Sequence, residues 1–315
     1  MTTPSSKRYR IKNWKEYNKA LVQRGSLTLW VNEDTVQSWY ETALPCKPGS
    51  PRTYSDLAIQ CCLTFRALYR IPLRATQGFV ASLFQLLGIP LDVPNYSTLC
   101  RRQKTLQVRI PISRKEEPMH VVVDSTGMKV YGEGEWKMRT HGKQKRRTWR
   151  KLHLAIDVKT REIVAAGMSL NSVGDSEGLP QLLETIEEKI NQVTTDGAYD
   201  SFGCYEAIKK KGAKAVIPPR EGARITHHGN RKTEALERDE HIRFIRKHGK
   251  KRWKKATNYH QRSLAENGMY RFKTCFGEKL LAHLYESQMS ELAIKASILN
   301  LWTGLGMPDS HLIAV

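Results

Sequence analysis

Acidic residues are scarce in this 315-residue chain: 31 Asp and Glu stand against 52 Lys and Arg, a net charge of +21. Solubility does not require one sign of charge, so an excess of this size points to a polyanionic partner, most often nucleic acid. Cysteine is equally uninformative as a metal or disulfide framework. Cys46, Cys61, Cys62, Cys100, Cys204 and Cys275 form no CxxC pair and no Cys/His spacing of a zinc site. They read as reduced, mostly buried thiols of a cytoplasmic protein. Long apolar runs are missing too. No stretch approaches 18 apolar residues, and Met1 to Trp14 is polar and basic without an apolar h-region, so neither secretion nor membrane insertion is expected. Internal repeats and low-complexity linkers are also absent.

Forty per cent of the chain is hydrophobic, enough to bury a core. The pattern changes near residues 110–118, where IPISRKEEP brings two prolines and a charge run. Before that point helices are expected at Ser55–Tyr69 and at Leu73–Leu87, the second ending at Gly88-Ile89-Pro90. A further helix starting near Ser97 carries Arg101, Arg102 and Lys104. Helix, short break and polar-headed basic helix is the outline of a helix-turn-helix, and equally of a plain bundle with a basic face. After His120 the periodicity becomes that of strands. His120–Asp124 is a short apolar run, Lys151–Asp157 alternates, and Glu162–Leu170 follows through a hairpin-like turn. A helix is expected from Asp175 with Leu179, Leu182, Leu183, Ile186 and Ile190 on one face, then strand Gln192–Thr195, helix Ser201–Lys211 and strand Ala215–Ile217. This order is that of a ribonuclease-H-like α/β fold, a mixed sheet flanked by helices, with the last two strands parallel beside the first. The expected division is a helical DNA-binding domain over residues 1–117 and a catalytic domain over 118–315, interrupted by a basic insertion at about 220–255. A last long helix is expected from near Thr257.

Asp124 closes the first apolar run, and Asp196, followed by Gly197, closes the fourth strand. An Asp at such a place needs solvent, a cap or a cation. Either could simply form a turn. The third acid lies in Tyr259-His-Gln-Arg262-Ser-Leu-Ala-Glu266-Asn-Gly-Met-Tyr-Arg-Phe-Lys273. If this segment is helical, Tyr259, Arg262, Glu266 and Lys273 fall within a stripe of roughly 60°. An Arg262–Glu266 pair alone would contribute only a few tenths of a kcal/mol and leaves Tyr259 and Lys273 unexplained.

Tyr-x2-Arg-x3-Glu-x6-Lys, with Val123-Asp-Ser-Thr-Gly127, Gly132-Glu-Gly-Glu-Trp136 and Thr195-Asp-Gly-Ala-Tyr199 in order, resembles the DDE transposases of bacterial insertion sequences, specifically the family numbered five. The resemblance implies a transposase that binds the terminal inverted repeats of its element and cuts and joins DNA. It implies Asp124, Asp196 and Glu266 as catalytic residues and ligands of two Mg²⁺ ions, with Mn²⁺ able to substitute and Asp124 bridging. Such ions, about 3.5–4 Å apart, can serve both the attacking and the leaving oxygen. A homodimer in the DNA complex and a second DNA partner, the target, follow from the same comparison.

The basic runs 137–151 and 241–255 each hold eight Lys or Arg. Such runs give affinity and register more than sequence information. Candidate DNA contacts are Tyr259, Arg262, Lys273, Arg101, Arg102, Lys145, Arg146, Arg147, Arg150 and Lys151. Two other enzyme classes fit less well. A tyrosine recombinase using Tyr259 leaves the aspartates idle, and His227-His228 lacks the spacing of a relaxase metal pair. A helix-turn-helix regulator with an inert core is the non-enzymatic alternative.

Overall fold

The computed structural model describes residues 8–42, 53–113, 117–131, 148–226 and 236–313. The N-terminal part is built from strand β1 (Arg8–Ile11) and helices α1 (Trp14–Gln23), α2 (Glu33–Gln37), α3 (Asp56–Tyr69), α4 (Leu73–Leu87) and α5 (Tyr96–Gln103). Their ends carry the chemistry expected of helix caps. Ser55 Oγ accepts from Ala58 N at 3.1 Å, and Asn95 Oδ1 accepts from Ser97 N at 2.9 Å. Helix α4 stops where Gly88 turns left-handed at φ 65°.

Strand β2 (Met119–Tyr131) lies at the centre of a five-stranded sheet with β3 (Thr148–Asp157), β4 (Ile163–Leu170), β5 (Ile190–Thr194) and β6 (Lys214–Val216), in the order β4-β3-β2-β5-β6. β2, β3 and β4 form an antiparallel meander; β5 and β6 join parallel on the far side of β2. Helices α6 (Asp175–Glu184) and α7 (Phe202–Lys210) make the crossovers. A mixed sheet flanked by helices, in this order, is consistent with a ribonuclease-H-like core. Two boundaries differ from the sequence reading. β2 does not end at Asp124 but runs on to Tyr131, because β3 pairs with it along that length. α6 ends at Glu184, and Ile190 belongs to β5.

Side chains alternate across β2. Val121 and Val123 enter an apolar cluster with Leu179, Leu183 and Ile208 on one face, whereas Val122, Met128 and Val130 enter a cluster on the other. That second cluster is continuous with the N-terminal helices: it joins Phe65, Phe84 and Leu99 to Leu152, Ile156 and Phe272.

The stretch expected as an insertion contains α8 (Glu237–His248) and α9 (Lys250–Ala256), which dock beside β6. The single last helix expected from Thr257 is two. A 3-10 turn over Tyr259–Arg262 leads into α10 (Ser263–Phe276), Gly277 at φ 72° ends it, and α11 (Tyr285–Leu305) follows. Strand β7 (Ser310–Ile313) then pairs antiparallel with β1, joining the two ends of the described chain. Among the described residues no helix is long and apolar enough to cross a membrane.

Candidate active site

Asp124 shares the α10 face of the sheet with Val122, by the two-residue period of a strand. β5 pairs with β2 only as far as Val122, so Asp124 lies past the last rung on that side, with Leu154 of β3 opposite it on the other. Its Oδ1 accepts from the Ser125 amide at 2.8 Å. Asp196 follows β5 by two residues and caps the 3-10 turn Gly197–Tyr199, accepting from Ala198 N at 2.9 Å. Both acids therefore lie just past the end of the β2–β5 pairing, Asp124 within β2 and Asp196 beyond β5.

Glu266 arrives on the first turn of α10. Gly268 sets that helix against the sheet. A Cβ there would run into Ile156 Cδ1, so the bare glycine lets the helix lie this close without moving that side chain. Because Tyr259–Arg262 is a 3-10 turn and not part of the α-helix, the four-residue stripe is not continuous. Arg262 sits at the junction and reaches two acids. Its Nη1 is 3.6 Å from Asp124 Oδ2, and its Nη2 donates to Glu266 Oε1. Tyr259 packs at 5.3 Å from the Trp253 ring, with Lys254 and Arg262 over its face.

The electrostatics reflect three carboxylates drawn together. The Asp124 carboxyl is pushed up, first by burial and then by the charges of Asp196 and Glu266; the Ser125 amide and Arg262 oppose the shift. The Tyr259 hydroxyl is also raised, mainly by burial, with Asp196 and Glu266 adding to it. Tyr199, fully buried one turn after Asp196, has its hydroxyl raised by burial and by Asp175, Asp124 and Asp196. Its ring packs in the apolar cluster of Val121, Val123 and Leu179. Tyr199 was visible in the sequence only as the end of Thr195-Asp-Gly-Ala-Tyr199, with nothing in the spacing to mark its burial.

The other expected contacts divide. Arg101 is exposed on α5. Arg102 is spent internally, donating to Tyr54 O at 2.8 Å and Asp56 Oδ1 at 2.6 Å. Arg150 Nε donates to Gln288 Oε1 at 3.2 Å, and Lys151 Nζ donates to Val173 O at 2.8 Å beside Asp175. Lys273 lies two turns beyond Glu266, where its charge helps lower the Glu278 carboxyl behind that of Lys129. Lys145, Arg146, Arg147, Trp136 and His227-His228 lie outside the described residues.

Asp124, Asp196 and Glu266 thus lie on three different elements, and Arg262 pairs with the first and the last of them. Among the described residues no group of three or more His, Cys, Asp or Glu side chains already closes around a single metal position.

Residues 115–301 match a family model described as a transposase DDE domain, and residues 22–133 match a second model of the same description. Among solved structures, the Drosophila P element transposase strand transfer complex is similar at 11% identity over 59% of this chain and 46% of that one, with a TM-score of 0.31. The piggyBac transposase synaptic complex with hairpin DNA is similar at 11% identity over 89% of this chain and 74% of that one, with a TM-score of 0.34. This chain thus spans under half the length of the P element transposase chain that it matches. The match over 115–301 covers more than half of the sequence, and the chain belongs to the transposase DDE domain family.

Proposed function

We propose that this protein is an insertion-sequence transposase that binds the ends of its element and catalyses metal-dependent strand cleavage and strand transfer. Membership of the DDE family supports DNA transposition in general. The observation that supports the finer reading is that Arg262 pairs with both Asp124 and Glu266 while the charges of Asp196 and Glu266 reach Asp124, inside a chain of net charge +21. A protein that only binds DNA has no use for three carboxylates turned toward a polyanion.

The donor set fits Mg²⁺, or Mn²⁺ in its place. The ligands are hard carboxylate oxygens, and the position of Arg262 between Asp124 and Glu266 marks a place where positive charge is accommodated. Asp124, Asp196 and Glu266 would hold the ions, and Arg262 would have to release the two acids it bridges. Divalent ions at such a site activate the attacking oxygen and stabilise the leaving one. Arg262 so released, with Tyr259 beside it, would be free to grip a phosphate of the scissile strand. Both the terminal repeats and the target DNA would use this site in turn, and pairing two ends calls for a homodimer in the DNA complex. The N-terminal helices up to residue 117 would supply end recognition, with Arg101 the exposed basic residue of α5.

Asp124→Ala, Asp196→Ala and Glu266→Ala should each abolish Mg²⁺-dependent cleavage of a labelled element end while leaving binding of that end within a few-fold of wild type. A folded Glu266→Ala protein that nicks at the normal rate would overturn the assignment. Wild-type protein that binds ends but cuts none in Mg²⁺ or Mn²⁺ would favour the inert-core regulator.

A further inference from the structure

A second basic feature lies away from the carboxylates, in a groove between the end of α3, the start of α4, α5 and the segment after α10. Arg66, Arg70, Arg74, Arg101 and His283 line it, and no Asp or Glu does. Arg66 is an unusual floor for a groove. It is 6% exposed, its Nη1 donates to Gln103 Oε1 at 3.0 Å, and its Nε is buried without a hydrogen-bond partner among the described residues. A buried guanidinium left short of partners is costly unless a counter-charge reaches it. Glu291 lines the small cavity beside Arg66 and its charge reaches the guanidinium, but that carboxylate is shared with Lys295 at 2.6 Å and with the Leu281 and Ala282 amides.

The rim is charged and open. Arg70, Arg74 and Arg101 are exposed, and no carboxylate among the described residues pairs with them. Arg74 stacks over the Tyr96 ring at 4.6 Å, which holds its guanidinium at the groove mouth. Arg70 ends α3 in the left-handed region and lays its guanidinium against Gly277, the residue that ends α10. A Cβ on Gly277 would fall 2.7 Å from Arg70 Nη2.

This approach of Arg70 to Gly277 ties the groove to the active site. α10 runs from Glu266 to Gly277, a rise of about 16 Å at 1.5 Å per residue. A DNA strand places one phosphate per roughly 3.4 Å of helix axis, so that distance corresponds to about five nucleotides. The exposed Arg70, Arg74 and Arg101 line a groove whose walls hold no acid, an arrangement that favours entry of a polyanion. We propose that the groove is a second backbone-binding station for the DNA engaged at the carboxylates, taking phosphates about five nucleotides from the reacting one. The identity of the polyanion as DNA rests on the function proposed above; the groove as an anion site does not.

The test is the salt dependence of binding to a duplex long enough to reach both places, followed by fluorescence anisotropy. Arg70→Gln/Arg74→Gln should keep the wild-type melt while the slope of log affinity against log salt shrinks by roughly 0.9 for each phosphate that is no longer neutralised, about 2 in all. Arg70→Lys/Arg74→Lys should recover most of that slope. Cys100, exposed and lining the groove, gives a second readout: saturating DNA should slow its labelling by a maleimide, in wild type and in Asp124→Ala alike. An unchanged slope in the Gln variant, or Cys100 labelled equally fast with and without DNA, would overturn the groove. Protein that shields Cys100 yet cleaves nothing would remove the catalytic reading and leave the groove standing.

Discussion

Gly268 decides how near Glu266 comes to the sheet. In Gly268→Ala the new methyl meets Ile156 Cδ1, and α10 must lift or Ile156 must repack, at a cost of about 1–3 kcal/mol. Cleavage should fall further than stability does, since Glu266 rides on the same helix. Ile156→Val removes the offending Cδ1, so the double variant should melt above Gly268→Ala and regain cleavage; a double variant as impaired as the single would show that this close approach is not what limits. Asp124 and Asp196 stand out in the sequence as acids closing apolar runs, and Glu266 by its spacing from Tyr259, Arg262 and Lys273; their role as metal ligands belongs to the proposal. The fate of the arginines and lysines was not legible there. Arg102 and Lys151 look as basic and as free as Arg101 in the sequence, yet each is tied to a carboxylate and a carbonyl that folding brings from elsewhere in the chain. Arg262 reaching across to Asp124 depends on a 3-10 turn that no side-chain period announces.

A buried imidazole links α8 and α9 to the sheet, beside Glu237 of α8, which accepts from the Ala215 amide at 2.9 Å. Trp253 Nε1 donates to His241 Nδ1 at 3.1 Å, which leaves the proton on Nε2 to donate to Ala215 O at 2.8 Å. The ring is therefore neutral, and burial first, with Lys214 assisting, holds its pKa below the ordinary value. In the unfolded chain the same ring takes up a proton near pH 6.5. The unfolded state thus binds more protons as pH falls, and stability is lost below about pH 6.5, by at most about 1.4 kcal/mol per pH unit from this site. His120 and His153, also lowered chiefly by burial, act in the same direction. His241→Asn should melt well below wild type at pH 7.5, and the gap should narrow toward pH 5; a gap independent of pH would rule out a neutral His241 as the element's anchor. The two helices it anchors were read from the sequence as a basic insertion, because apolar residues are sparse there and Trp253 and Ile242 do the burying almost alone. Strand order was readable from the alternation of β3 and the apolar runs of β2 and β5. The extension of β2 to Tyr131 was not, since residues 125–131 pair through backbone with β3 and carry no apolar run.

At the scale of the molecule, charge pointed to DNA and the order of elements pointed to the sheet, while the sharing of one core between the two ends of the chain left no sequence mark. α11 makes that sharing concrete. Ser290 Oγ donates to Gln103 O at 2.8 Å, and Asn300 bonds the Ile163 amide and carbonyl and Pro111 O, each at 2.8 Å. Its apolar residues Leu292, Ile298 and Leu299 pack in the cluster that also holds Phe65, Phe84 and Leu99. One core therefore spans residues 1–117 and 118–315, so a division between them would be one of function alone. Cutting the chain between them would remove Gln103 O and Leu106 O from Ser290 and Pro111 O from Asn300 and uncover the buried Glu291–Lys295 pair, at about 1–3 kcal/mol for each buried polar group left without its partner. It would also leave the large residues of α3 and α11 without their facing surface. A polypeptide of residues 118–315 should retain helical and strand signal in the far ultraviolet but lose its near-ultraviolet signal and its cooperative melt. Residues 1–117 supplied as a separate chain should restore both by refilling the core. A 118–315 fragment that melts as sharply and as high as the full chain would show that α11 can close its core without the N-terminal helices.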